Sequence, residues 1–256
     1  MSDPAVLERF ERSRVLFRSL VGRPEPDNLY DRQAWNMGGV HLMLTESMLS
    51  VYRQAEGIKP ADEAAFAFYA LITMGGVHHH HMTEEEKYLP ALEPEFKTPI
   101  VDEHHLFTGP LHELEEYLQE LTGLEPDAAK GQYVPAKNPK PKVAYNGRKI
   151  TEAIERMAEP MFTHLEKEIE YLAGDKLREC GLPLSKLEAW AVYEKSMIKN
   201  FDPWVSLVFV VAHTPRNSQF PPLPPGIRSF LVPWVFWWKH RKSWRFCPPQ
   251  EPLKSA

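Results

Sequence analysis

Residues 150–171 read ITEAIERMAEPMFTHLEKEIEY, and seven positions in this stretch decide the fold. Ile150, Ile154, Met157, Met161, His164, Glu168 and Tyr171 follow one another in alternating steps of four and three. That spacing lines side chains along one face of an α-helix, as the seam of a helix in a bundle. The same rhythm runs through Tyr30, Ala34, Met37, His41, Leu44, Met48, Val51 and Ala55. It returns in Ile100, His104, Phe107, Leu111, Leu114, Leu118 and Leu121. Between these two lies a helix over about 61–88, opened by Pro60 and closed by Pro90, which cannot continue it. Four long helices with one seam each predict an all-α protein, a four-helix up-down bundle.

Outward from the seams, residues 4–20 read as a short amphipathic helix that ends at Gly22 and Pro24, and residues 184–199 as a fifth helical stretch. Residues 123–148 have the Pro, Gly and Lys content of a long surface loop, and strand patterns are almost absent before residue 205. Beyond residue 200 the composition changes. Ten of the 24 prolines and five of the seven tryptophans lie there, and residues 203–250 contain six Lys or Arg and no acid. The expected organisation is an N-terminal helix and linker (1–28), a helical bundle (29–200), and a Pro/Trp-rich irregular C-terminal extension (201–256) packing on the bundle. Trp beside Lys and Arg is also the composition of a membrane-surface segment. A protein-docking role is a third reading of the extension, with no partner indicated.

Composition excludes several classes. With 43% hydrophobic and 25% charged residues in 256, the chain can bury a core, so general disorder is excluded. A net charge of −5 argues against nucleic acid as a partner. Two cysteines form no disulfide framework and suit a reducing compartment. With no secretory leader and no run of about 18 apolar residues, the expected location is cytoplasmic.

The chemistry lies where the seams are interrupted. His41, His104, His164 and Glu168 occupy positions that their apolar neighbours mark as buried. On the second helix, HHHHMTEEE (78–86) offers His80 with Glu84, or His81 with Glu85, each pair one turn apart on one face. Singly, each has a bland reading: a hydrogen-bonded core histidine, a solvated helix end, a charged exposed face. Jointly, four helices each bring a histidine to one interior, and two bring His-x-x-x-Glu. Buried imidazoles and carboxylates need partners, and a shared cation serves all of them.

These stretches resemble the hemerythrin-like, HHE cation-binding family over roughly residues 30–175. The carriers are NMGGVHLMLTESMLSVYRQA, HHHHMTEEEKYLPAL, DEHHLFTGPLHELEEYL and MFTHLEKEIEYL. The resemblance implies the metal ligands His41, His80, Glu84, His104, His164 and Glu168, with His81 and Glu85 just around the helix. It also selects iron, as two non-haem ions. One is expected on His41 and His80, the other on His104 and His164, with Glu84 and Glu168 bridging. Two departures stand out. Thr108 holds the place of a second third-helix histidine found in oxygen-carrying hemerythrins, and Ile169 that of their fourth-helix aspartate. The site is therefore expected to be one imidazole short, with positions open to water, dioxygen or a small-molecule substrate.

The implied function is a non-haem di-iron protein that binds or activates dioxygen, as an oxidase or monooxygenase. The alternatives are a non-catalytic iron-binding or iron- or oxygen-sensing protein, and a plain bundle with a histidine-rich surface.

Overall fold

Helix α1 (Pro4–Val21) opens on Asp3, whose side chain accepts a hydrogen bond from Ala5 N, with Pro4 in the first turn where its missing N–H costs nothing. Asn28 starts α2 (Leu29–Gln54) in the same way, accepting from Tyr30 N at 2.9 Å. Then come α3 (Glu63–Thr83), a π-turn over Glu84–Tyr88, and α4 (Leu89–Leu92). Helix α5 (Ile100–Thr122) stops at Gly123, whose φ of 68° is the left-handed conformation that glycine adopts without a Cβ penalty. Asn146 caps α6 (Gly147–Tyr171), and α7 (Gly174–Glu179) and α8 (Leu184–Lys199) follow. This computed structural model describes residues 3–127, 132–138, 143–199, 202–224 and 226–253, and over them the chain is mostly helical.

The four long helices α2, α3, α5 and α6 close a ring: α2 packs on α3, α3 on α5, α5 on α6, and α6 on α2. The middle of each seam fills the interior, with Leu44, Met48, Val51, Phe107, Leu111, Leu114, Ile150, Ile154, Met157 and Met161 all buried. Helix α1 lies across α2 and α6. Charge as well as apolar contact holds it there. Buried Arg9 donates to Glu166 at 2.6 Å, and Arg14 and Arg18 converge on Glu46 of α2 at 2.7 and 3.1 Å.

Four features depart from the sequence expectations. The helix expected to end at Pro90 continues to Leu92. The π-turn explains this: Leu89 N–H bonds to Glu84 O, five residues back, so the proline falls where the ladder has already been offset. Residues 123–148 are not all loop, since β1 (Leu124–Asp127) and β2 (Gln132–Pro135) pair as an antiparallel hairpin. Helix α7 carried no periodic signal. The C-terminal region is less irregular than its prolines suggest, with helical turns over Pro203–Ala212 and Ile227–Trp244 broken near Val235.

Two glycines show why side chains are absent there. A Cβ on Gly39 would lie 2.3 Å from the Phe220 ring, and one on Gly75 would lie 2.3 Å from the Tyr133 hydroxyl. Both seat an aromatic ring directly on a helix backbone. No helix of the described residues is long and apolar enough to cross a membrane.

Candidate metal centre

The ring of helices points seven ionisable side chains at one another. Helix α2 supplies His41, α3 supplies His80 and His81, the π-turn Glu84, α5 His104, and α6 His164 and Glu168. They form two groups, each with its donor atoms within 4.8 Å of one another. His41, His80, Glu84 and Glu168 make one, and His81, Glu84, His104 and His164 the other, with Glu84 common to both. Six of the seven are at most 3% exposed, and the His80 side chain is 9% exposed.

The distances are those of converging lone pairs. His41 Nε2 lies 3.2 Å from His80 Nε2, and His104 Nε2 lies 3.1 Å from His164 Nε2. Two nitrogens bound about 2.1 Å from one ion at right angles stand about 3.0 Å apart. His41 Nε2 is 3.1 Å from Glu168 Oε2, and His80 Nε2 is 2.9 Å from Glu84 Oε1.

Compared with known families, curated proteins and solved structures, the chain matches none. The centre is therefore read from its own geometry.

A second layer fixes the rings. His81 Nδ1 donates to Val77 O at 2.8 Å, which leaves its Nε2 as a bare lone pair facing the group. His104 Nδ1 meets Glu85 Oε1 at 2.5 Å and is held in the same tautomer. His164 Nδ1 faces Glu103 Oε2 at 3.5 Å, and Lys167 holds that carboxylate at 2.7 Å. Carboxylates and carbonyls behind metal-binding imidazoles orient them and raise their basicity in this way. Phe107 packs against His81, His104 and His164, and Phe17 of α1 sets its ring edge-on to His41, so aromatic walls close both sides.

Burial sets the charge. Loss of hydration holds His41 and His81 well below the usual imidazole range, brings His80 down to about 4, and brings His164 down to about 2. The same cause pushes Glu84 and Glu168 well above the usual carboxylate range. Burial thus disfavours the charged form of each of these groups when no cation is bound. It is also unsatisfied: His81 Nε2 and all four carboxylate oxygens of Glu84 and Glu168 are buried without a hydrogen-bond partner among the described residues. Leaving such an atom unpaired costs about 1–3 kcal/mol, and a cation coordinated by these atoms removes that cost. The buried His and Glu groups can hold a metal ion, and imidazole with carboxylate suits iron, manganese or zinc.

All six residues singled out in the sequence come together here. Two points of the expected arrangement change. His81 points into the centre as well as His80, and it supplies an imidazole from α3 where Thr108 of α5 supplies none. Glu168 falls with His41 and His80 only, so Glu84 is the one carboxylate shared by both groups. Glu85 lies outside both groups and acts on His104 instead. His105 is exposed, and His213 is occupied elsewhere by Tyr69 at 2.7 Å. The histidine doublet at 80–81 was the available sign of His81.

Proposed function

We propose that the chain is an up-down four-helix bundle of the hemerythrin-like type carrying a dinuclear non-haem iron centre that binds or activates dioxygen. The observation that carries this reading is the pair of ligand groups joined at Glu84, three imidazoles and a carboxylate on one side, two of each on the other. Iron held there would supply redox chemistry with dioxygen. The protein's own part is to fix the donors. His81 and His104 are held in one tautomer by Val77 and Glu85, and Glu103 stands behind His164.

Burial favours a small reactant. With the ligands nearly inaccessible, a diatomic reactant is favoured over a larger substrate, which would first have to displace Phe17 or Phe107. The same unpaired buried atoms support a second reading, in which iron binding orders the bundle and no turnover follows.

Iron analysis of protein prepared without a histidine tag tests the centre. About two ions per chain are expected for this ligand arrangement. A value near zero overturns the reading, and a value near one replaces it with a mononuclear site. Oxygen uptake by the reduced, iron-loaded protein supports the dioxygen reading. Stable iron binding without uptake selects the non-catalytic one.

A further inference from the structure

The helical turns over 227–245 have two faces of different character. One is anchored in the protein: Val232, Ser243 and Trp244 are buried, Phe236 stands edge-on to Trp204 at 5.2 Å, and His240 stacks on Phe68 at 4.9 Å. The other carries Phe230, Trp234 and Trp238, four residues apart, at 60%, 66% and 55% exposure, with Val235 between them. Among the described residues these three are the exposed Phe and Trp side chains of the molecule. Large aromatics exposed in one segment mark an interaction surface.

The polar members of this face say which kind. Lys239, Arg241 and Lys242 are exposed and form no ion pair with a carboxylate among the described residues. Arg241 lies over the Trp238 ring at 5.5 Å, and Lys239 over Trp204 at 5.9 Å. Arg245 is engaged by Asp62 at 2.5 Å. No acidic residue occurs between 203 and 250, although the protein as a whole is acidic. Solvent-facing Trp and Phe side chains flanked by unpaired Lys and Arg match the boundary between lipid headgroups and acyl chains. There the indole ring finds both apolar and polar surroundings, and cations meet anionic headgroups.

We propose that this face docks on an anionic phospholipid surface, with Phe230, Trp234 and Trp238 entering the headgroup boundary and Lys239, Arg241 and Lys242 against the headgroups. The proposal is independent of what the metal centre does. It joins two of the three readings of the extension, since one face packs inward while the other is exposed.

Flotation of the iron-treated protein with vesicles of phosphatidylcholine, with and without phosphatidylserine, tests it. Binding is expected only with phosphatidylserine, with tryptophan emission shifted to shorter wavelength, quenching by brominated acyl chains, and weakening by salt. The W234S/W238S variant should lose flotation, and each of K239Q, R241Q and K242Q should weaken it about five-fold. All five side chains are exposed, so unchanged helicity and metal content serve as the folding control. Absence of flotation with phosphatidylserine, or full flotation of folded W234S/W238S, overturns the proposal. So does self-association that W234S/W238S abolishes, or binding to an acidic peptide, if either occurs without vesicle binding.

Discussion

His80 and His81 are consecutive on one helix, so their side chains diverge by about 100°, yet both reach the centre. This is possible because the centre is two groups side by side, one toward α2 and one toward α5, with α3 between them. Each imidazole therefore serves a different neighbour. His81→Ala is expected to strip metal as severely as His80→Ala, whereas His79→Ala, at an exposed position, should leave the metal content unchanged. Element analysis of the purified variants checks this. Glu85→Gln keeps a partner near His104 Nδ1 but removes its charge, and should weaken metal binding about 10–100-fold without abolishing it. Competition with a chelator of known affinity gives the number.

Among the elements, the long helices were legible because their seams repeat every three or four residues and need no distant partner to be seen. The histidines on α2, α5 and α6 were legible for the same reason, since they break an apolar rhythm at positions that must be buried. What stayed hidden depends on contacts remote in sequence. The hairpin β1–β2 is fixed by Tyr133, which donates to Glu115 of α5 at 2.5 Å and rests on Gly75 of α3. Nothing near residue 133 announces either partner. The π-turn at Glu84 likewise leaves no periodic trace, and Pro90 reads as a stop until that turn is known. The two glycines under aromatic rings allow an element-scale prediction. Gly39→Ala gains about 1 kcal/mol of helix propensity but drives a methyl into the buried Phe220 ring, an overpacking that costs about 1–3 kcal/mol. The crowding wins at a 2.3 Å approach. Thermal unfolding of the variant should show a lower midpoint.

For the molecule as a whole, the centre links folding, metal and protons. Glu84 and Glu168 have folded pKa values raised above the ordinary carboxylate value of 4.5. The metal-free protein therefore loses stability as pH rises from that value toward the folded one. His41, His80, His81 and His164 have folded values lowered below 6.5, so stability is also lost as pH falls through 6.5. The two windows overlap, and the metal-free protein carries one cost or both across the accessible range. A bound cation takes the place of the carboxyl protons. Metal affinity should accordingly rise with pH, with proton release on binding. The gap in unfolding temperature between loaded and chelator-treated protein should widen from pH 5 to pH 8 (roughly the range over which most proteins are stable). Calorimetry across a pH series checks both. A gap that narrows as pH rises would sink the assignment of Glu84 and Glu168 as ligands.

The contact of Tyr133 with Glu115 bears on time rather than on affinity. Glu115 also receives His78 of α3, whose Nδ1 lies 2.8 Å from Oε2, so one carboxylate clasps the hairpin, α5 and the turn of α3 just before the ligands. A clasp that is the same with and without metal adds nothing to the difference between those two states. It must open, however, whenever α3 moves aside to let an ion leave. Its expected effect is therefore on residence time. Tyr133→Phe removes one hydrogen bond to a charged group and keeps the ring on Gly75. Metal release to excess chelator should quicken roughly ten-fold or more while the equilibrium constant stays put. Rapid-mixing absorbance measurements would separate the two, and an altered equilibrium with an unaltered release rate would show the clasp to be something else.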